Sequence, residues 1–176
     1  MNNKLIFILG GAKSGKSDYA LLLGKKIKRK TYFIATAIND TQEMQIKILK
    51  HQKKRPKNWN TIEESKNIIP QLKKKFSNNL IILDCLTVYL SNLFYEYRNL
   101  KEKKEKIKLH IKKILKLHQD SKNIFIIVSN EVGCGIVPMN SITREFRDLQ
   151  GEVNQTIAKF ANEVYFLVAG INQRLK

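Results

Sequence analysis

The feature that most restricts this 176-residue chain is the segment Gly10-Gly-Ala-Lys-Ser-Gly-Lys-Ser17. Before it stands an apolar run, Lys4-Leu-Ile-Phe-Ile-Leu9, which reads as a short buried strand. After it comes an apolar segment, from about Ser17 to Lys28, which reads as a helix. A glycine, four residues, then Gly-Lys-Ser between a strand and a helix is the Walker A pattern in full. Gly10, Gly11, Ala12, Lys13, Ser14 and Gly15 can turn backbone N–H groups toward a chain of phosphates. Lys16 can reach the terminal phosphates, and the Ser17 hydroxyl is a ligand for Mg²⁺. The helix N-terminus adds a field that favours anions. Asp84 closes a second run, Leu80-Ile-Ile-Leu83. Four apolar residues followed by Asp form the Walker B pattern, which holds Mg²⁺ directly or through water. Together the two segments predict a site for a nucleoside triphosphate with Mg²⁺. They do not identify what accepts the phosphate.

Further along the chain, strand and helix patterns alternate. Thr31–Thr36 reads as the second strand. Asp40 can cap a helix with Glu43 as its box partner, and that helix runs to about Lys54, stopping before Pro56. Lys57–Ser65 reads as loop, and a helix near Ile69–Phe76 leads to the strand Leu80–Asp84. Leu86–Tyr97 reads as helical. In Lys101–Leu117 the residues Ile107, Ile111, Ile114 and Leu115 share one helical face, which leaves the lysines on a solvated outer face. His110 and His118 in that region have no metal-ligand partners in the sequence. Ile124–Val128 is a β-rich run, Ser141–Asn162 a helix and Val164–Val168 a last strand. No repeat, linker or break in composition divides residues 1–176. The expected fold is therefore α/β, a single P-loop NTPase-like three-layer domain with a mostly parallel central sheet and helices on both faces.

Charge and cysteine content narrow the setting. Lys plus Arg number 33 against 15 Asp plus Glu, a formal charge of +18. The excess recurs at Lys25–Lys30, Lys47–Lys57, Lys73–Lys75 and Lys101–Lys116 instead of forming one patch, and only 6 of the 33 are Arg. Base and phosphate recognition draws on the planar Arg fork, and no nucleic-acid motif accompanies the lysines. A solvated surface that attracts anionic nucleotides at long range is the reading preferred to polynucleotide binding. Two cysteines, Cys85 and Cys134, are too few for a disulfide scaffold. No apolar run reaches membrane-spanning length, and Leu5–Leu9 is too short for a signal-peptide core. The expected location is the cytoplasm.

His51 lies in Lys47-Ile-Leu-Lys-His-Gln-Lys-Lys-Arg55-Pro56. On a helix, Lys47 at i−4 and Arg55 at i+4 flank it on one face, and the two cations can hold phosphate oxygens. Taken alone, the segment reads first as an ordinary surface histidine in a basic helix. The second reading is a nucleophile.

The order of motifs resembles a known family, the bifunctional adenosylcobinamide kinase/adenosylcobinamide-phosphate guanylyltransferases of cobalamin biosynthesis. Beyond the Walker A segment, the matching stretches are Phe33-Ile-Ala-Thr-Ala37, Glu43-Met44, His51-x3-Arg55-Pro56-x2-Trp59-x-Thr61-x-Glu63-Glu64 and Leu83-Asp-Cys-Leu-Thr87. They continue through Ser91-Asn-Leu93, Val128-Ser-Asn-Glu-Val-Gly133, Gly135-Ile-Val-Pro138, Phe146-Arg-Asp148 and Gly151-x2-Asn154-Gln155. Lys13 stands where the family usually has Arg.

The resemblance implies two reactions. ATP or GTP phosphorylates the aminopropanol hydroxyl of adenosylcobinamide. GTP then guanylylates a histidine, with release of pyrophosphate, and the cobinamide phosphate takes the GMP to give adenosylcobinamide-GDP. In the family that histidine maps to His51, so the resemblance reverses the surface reading. It makes Lys16, Asp84 and Arg55 the other catalytic candidates. It extends the nucleotide-binding set to Thr36, Ala37 and Ile38, to Lys54, Arg55 and Pro56, and to Thr87. Glu63 is the candidate for guanine recognition, with Glu64 competing. Asn130 and Glu131 are candidates for nucleotide or corrinoid contact or for a structural loop. Arg144, Arg147, Asn154 and Gln155 are candidates for contact with the acceptor or a second subunit, since the family is typically trimeric. No nucleic acid or membrane is expected as a partner. The alternative is a P-loop NTPase that binds nucleic acid through its basic surface.

Overall fold

A computed structural model describes residues 3–38, 41–74, 78–99 and 101–176. The side chains of Glu43, Met44 and Lys47 also lie outside the description. The expected cap of Asp40 with Glu43, the flanking of His51 by Lys47 and the helix end at Phe76 therefore fall outside the described residues.

Seven strands form one sheet in the order β3-β2-β4-β5-β1-β6-β7. They are β1 (Lys4–Gly10), β2 (Thr31–Ala35), β3 (Asn60–Glu63), β4 (Leu80–Asp84), β5 (Ile124–Val128), β6 (Glu163–Val168) and β7 (Ile171–Arg174). All pairings are parallel except that of β6 with β7. The helices are α1 (Lys16–Lys26), α2 (Gln42–Lys54), α3 (Ile69–Lys73), α4 (Leu86–Glu96), α5 (Lys103–Gln119) and α6 (Ser141–Phe160). The central strands are continuous apolar runs because both of their faces are covered. Leu5 and Phe7 of β1 join the core beneath α4, α5 and α6, while Ile6 and Ile8 join the core that holds Ala20 and Leu21 of α1. The expected three-layer α/β architecture is what forms. Among the described residues no helix is long and apolar enough to cross a membrane.

Two expectations are corrected. Asn60–Glu63, expected to lie in a loop, is an edge strand that pairs in parallel with Tyr32–Ala35. Ile171–Arg174, for which no element was expected, pairs antiparallel with Tyr165–Val168. The lysines of α5 are also not simply an outer solvated face: Lys103 and Lys104 meet Glu145 of α6, and Lys108 meets Glu152. These pairs staple α5 to α6 and neutralise part of the basic excess.

His118 of α5 is buried against Phe125, ring centroids 4.8 Å apart. Its Nδ1 has no hydrogen-bond partner among the described residues. Burial pushes its pKa down to about 4 from the ordinary 6.5. An unfolded chain takes up this proton below about pH 6.5, the folded chain only near pH 4, so stability rises with pH between them. The contribution is present in full above the unfolded value and is lost as pH falls toward the folded one. At 1.36 kcal/mol per pKa unit it amounts to about 3 kcal/mol. Urea unfolding of native chain and His118→Leu at pH 7 and pH 4.5 checks this. The variant should lose markedly less stability on acidification, and equal losses would show that His118 is not the group responsible.

Candidate active site

The phosphate loop is shaped by what its backbone touches. Gly10 has φ +152°, and a Cβ placed there would lie 2.4 Å from the Leu167 carbonyl oxygen of β6. Gly15, at φ +97°, stands at the N-terminus of α1, and its own Cβ position is 3.2 Å from the Gly170 Cα. The Gly10 carbonyl accepts from the Glu131 N–H at 3.0 Å, and the Ser14 carbonyl from the Gly170 N–H at 3.0 Å. The loop is thus held from outside by the exit of β5 and by the β6–β7 turn. Gly10→Ala is expected to destabilise the chain by about 2 kcal/mol or more, because strain at positive φ adds to the clash. Thermal melting with and without GTP checks it, and native-like melting with native-like GTP affinity would refute it.

The Lys16 side chain folds back over the loop, where its ammonium donates to the Gly11 carbonyl and, at 3.3 Å, to the Ser14 hydroxyl. Burial lowers its pKa, opposed by Cys85 and Asp84. Ser17, at the start of α1, donates to Asp84 Oδ1 at 3.2 Å, which brings the Walker A serine to the end of β4. Burial raises the Asp84 pKa, while the Ser17 hydrogen bond and the charges of His51, Arg55 and Lys16 oppose the rise. Two hard oxygen donors side by side fit Mg²⁺.

A cavity of about 910 Å³ opens at this junction. Its floor includes Ser17, Asp84 and Cys85. One wall is α2 with the residue that follows it, contributing Gln45, Ile48, His51, Gln52 and Arg55. The exits of two neighbouring strands, Thr36–Ile38 after β2 and Glu63–Ser65 at and after β3, also line the cavity. His51 is exposed in this wall. Arg55 stacks over the Phe33 ring, 3.9 Å from its centroid. Its Nε and Nη1 are buried and have no hydrogen-bond partner among the described residues. Burial lowers the Arg55 pKa, opposed by the carboxylates of Asp84 and Glu63. A buried guanidinium with free N–H groups beside a cavity is ready to receive an anion.

The cavity therefore gathers Ser17, Thr36, Ala37, Ile38, His51, Arg55, Glu63 and Asp84 from the residues singled out in the sequence, with Glu64 also in the lining. Glu63 Oε1 accepts from Gln52 Nε2 at 3.0 Å, whereas Glu64 Oε1 accepts from the backbone N–H groups of Lys66 and Asn67. Glu63 thus lines the cavity joined to α2, and Glu64 shapes a turn. Of the other candidates, Gly10, Gly11, Ala12, Lys13, Ser14, Gly15 and Lys16 form the phosphate loop and do not line the cavity, and three more lie outside the lining. Lys54 pairs with Asp18 at 2.7 Å, Pro56 is not in the lining, and the buried Thr87 hydroxyl accepts from the Asn130 N–H at 2.7 Å. Asn154, weighed as an acceptor or subunit contact, is instead buried, where it accepts from Ser129 and Gln150 and donates to the Asn130 carbonyl. Arg144 donates to the carbonyls of Pro138 and Met139.

Sequence reasoning gave no role to Gln52 or Asn92. Gln52 adjoins His51 in the recognised segment, but its target Glu63 lies on the strand that was read as loop. Asn92 donates from Nδ2 to the Thr36 carbonyl at 2.9 Å and to the Ser65 carbonyl at 3.0 Å. Its signal in the sequence was its place in the matching stretch Ser91-Asn-Leu93.

Comparison with known proteins adds to this geometry. Among solved structures, the fold is similar to an ATPase of a bacterial type III secretion system, with TM-score 0.61 and 10% identity over 94% of this chain and 52% of that one. It is also similar to the RadB recombinase, with TM-score 0.50 and 14% identity over 93% and 73%. These likenesses concern the fold alone. The bifunctional adenosylcobalamin biosynthesis protein CobU of Escherichia coli (strain K12) is 33% identical over 98% of this chain and 99% of its own. CobP of Pseudomonas aeruginosa, of the same description, is 34% identical over 96% and 95%. Residues 6–175 match the family model described as cobinamide kinase/cobinamide phosphate guanyltransferase. Nearly the whole chain is aligned in each case, and the phosphate loop, His51 and Asp84 all fall within it; the chain belongs to the cobinamide kinase/cobinamide phosphate guanyltransferase family.

Proposed function

We propose that this one cavity serves both reactions for which the family is named. The observation that carries the reading is the meeting around one space of the Ser17–Asp84 pair, His51 and Arg55, whose Nε and Nη1 have no partner among the described residues. In the kinase reaction the terminal phosphate of ATP or GTP passes to the aminopropanol hydroxyl of adenosylcobinamide. The hydroxyl oxygen forms the new P–O bond, the bond to the β-phosphate breaks, and the hydroxyl proton is released. Lys16 offsets charge on the transferring group. In the transferase reaction an imidazole nitrogen of His51 forms a P–N bond to the α-phosphorus of GTP, and pyrophosphate leaves. A phosphate oxygen of adenosylcobinamide phosphate then displaces the histidine and takes the GMP. The covalent intermediate divides one displacement into two. Arg55 receives phosphate oxygens throughout, and the Glu63 carboxylate accepts from the guanine N1–H or exocyclic amine.

Ser17 and Asp84 are the residues that would hold Mg²⁺, which when bound supplies charge neutralisation at the phosphates. A homo-oligomer, a trimer by family resemblance, is supported by the exposed Ile136, Val137 and Met139. A cytoplasmic location accords with a biosynthetic enzyme of this kind. Nothing specific favours the nucleic-acid reading, and the pairing of α5 lysines with α6 carboxylates weakens it. The test is incubation with Mg²⁺ and GTP labelled at the α-phosphate, followed by a denaturing gel. Acid-labile, alkali-stable label on the chain is expected. Its absence where GTP binds would reduce the reading to a kinase.

A further inference from the structure

We propose that Asn92 is a positioning residue that fixes the base-binding wall of the cavity without touching the nucleotide. The proposal rests on reading the cavity as the GTP site. The wall is made by two chain segments that leave neighbouring parallel strands, Thr36–Ile38 and Glu63–Ser65. A backbone bond from the Glu64 N–H to the Ala35 carbonyl, 3.0 Å, still joins them, and beyond it each exit needs other partners for its backbone groups. One amide supplies partners for both. The Nδ2 group carries two hydrogens, and they go to the carbonyls of Thr36 and Ser65, at 2.9 and 3.0 Å. Two carbonyl acceptors also fix the orientation of the amide, since its oxygen cannot serve them.

The rest of α4 reinforces the arrangement. Tyr89, one turn earlier, donates from its hydroxyl to the Lys66 carbonyl at 3.2 Å and accepts from the Ile68 N–H at 3.3 Å. The hydroxyl also lies 2.6 Å from Nε2 of His110. From α4, then, two side chains on one face hold the whole Ser65–Ile68 segment. Of these two side chains, Asn92 also reaches the β2 exit, and it ties the two halves of the wall together beyond the Glu64 N–H bond to the Ala35 carbonyl. The Thr36 hydroxyl is tied separately, to the N–H and carbonyl of Cys85. The phosphate end of the site has its own supports in the β5 exit and the β6–β7 turn. Loss of the Asn92 amide should therefore disturb the part of the site that meets the nucleoside and spare the part that meets phosphate.

The experiment is calorimetric titration of native chain, Asn92→Ala and Asn92→Leu with GTP and with inorganic tripolyphosphate, alongside ligand-free melting. Asn92→Leu retains the side-chain volume without the donors, so it carries the test should the alanine variant fail to fold. The expected result is a Kd for GTP raised roughly tenfold with tripolyphosphate affinity unchanged. Equal weakening of both ligands would show a merely structural residue and overturn the proposal. Unchanged GTP affinity in variants of a chain that binds GTP would overturn it alone. A native chain that does not bind GTP would overturn the reading of the cavity and the proposal with it.

Discussion

His51→Ala should leave phosphorylation of adenosylcobinamide near its native rate while guanylyl transfer falls by a factor on the order of 10³ or more. The asymmetry follows from position. His51 is exposed in the α2 wall of the cavity and takes no part in the Ser17–Asp84 hydrogen bond or in the backbone hydrogen bonds that hold the phosphate loop. Truncating an exposed side chain at a helix surface changes stability by about 0.5 kcal/mol or less, so a folding defect should not obscure the result. Only the reaction that needs a P–N bond should suffer. Both steps are measured separately by supplying either adenosylcobinamide or its phosphate. Loss of both activities together would mean that His51 supports the site as a whole. Retention of guanylyl transfer would mean that the phosphate oxygen attacks GTP directly, with no covalent intermediate.

Lys16→Ala should behave in the opposite way and depress both reactions, each by a factor on the order of 10² to 10³. The Lys16 ammonium is held over the phosphate loop by the Gly11 carbonyl and the Ser14 hydroxyl. Any triphosphate seated in that loop meets it, whether the α- or the γ-phosphorus is attacked. Arginine should not substitute, because a planar fork does not fit a pocket built around a compact ammonium. Paired kinase and transferase assays on Lys16→Ala and Lys16→Arg decide the matter. A variant impaired in phosphorylation alone would require a second seat for GTP.

The parts of the fold that were legible in the sequence are those with a strong local signal. β1, β4 and β5 are apolar runs, and the Walker A segment fixes the turn between β1 and α1. The strands that escaped notice lie at the two edges of the sheet. Every residue of β7 is exposed, and in β3 only Ile62 is partly covered. Neither carries an apolar run, and each is a strand because a neighbour offers backbone groups to pair with. That omission reached the site, since β3 presents Glu63. The chemistry of Lys16, Ser17 and Asp84 was written in adjacent residues. That of His51 was not: a basic helix with one histidine has no distinguishing local pattern, and family resemblance supplied its role. Thr87 and Asn154 show the converse. Both stand in recognised motifs, yet their polar groups are spent on the loop after β5.

The seat of the β6–β7 turn against the phosphate loop bears on how this protein comes into being on the ribosome. The glycine-rich segment is synthesised before the groups that seat it, since Gly10 and Ser14 make contacts with Leu167 and Gly170. β1 itself is the neighbour of β5 and β6, both made much later. From its own synthesis until that of residue 170, the triphosphate-binding segment is therefore a strand and a loop without their partners. A nascent chain should be unable to capture GTP until residue 170 has left the exit tunnel, so the nucleotide can stabilise the finished molecule but cannot template its assembly.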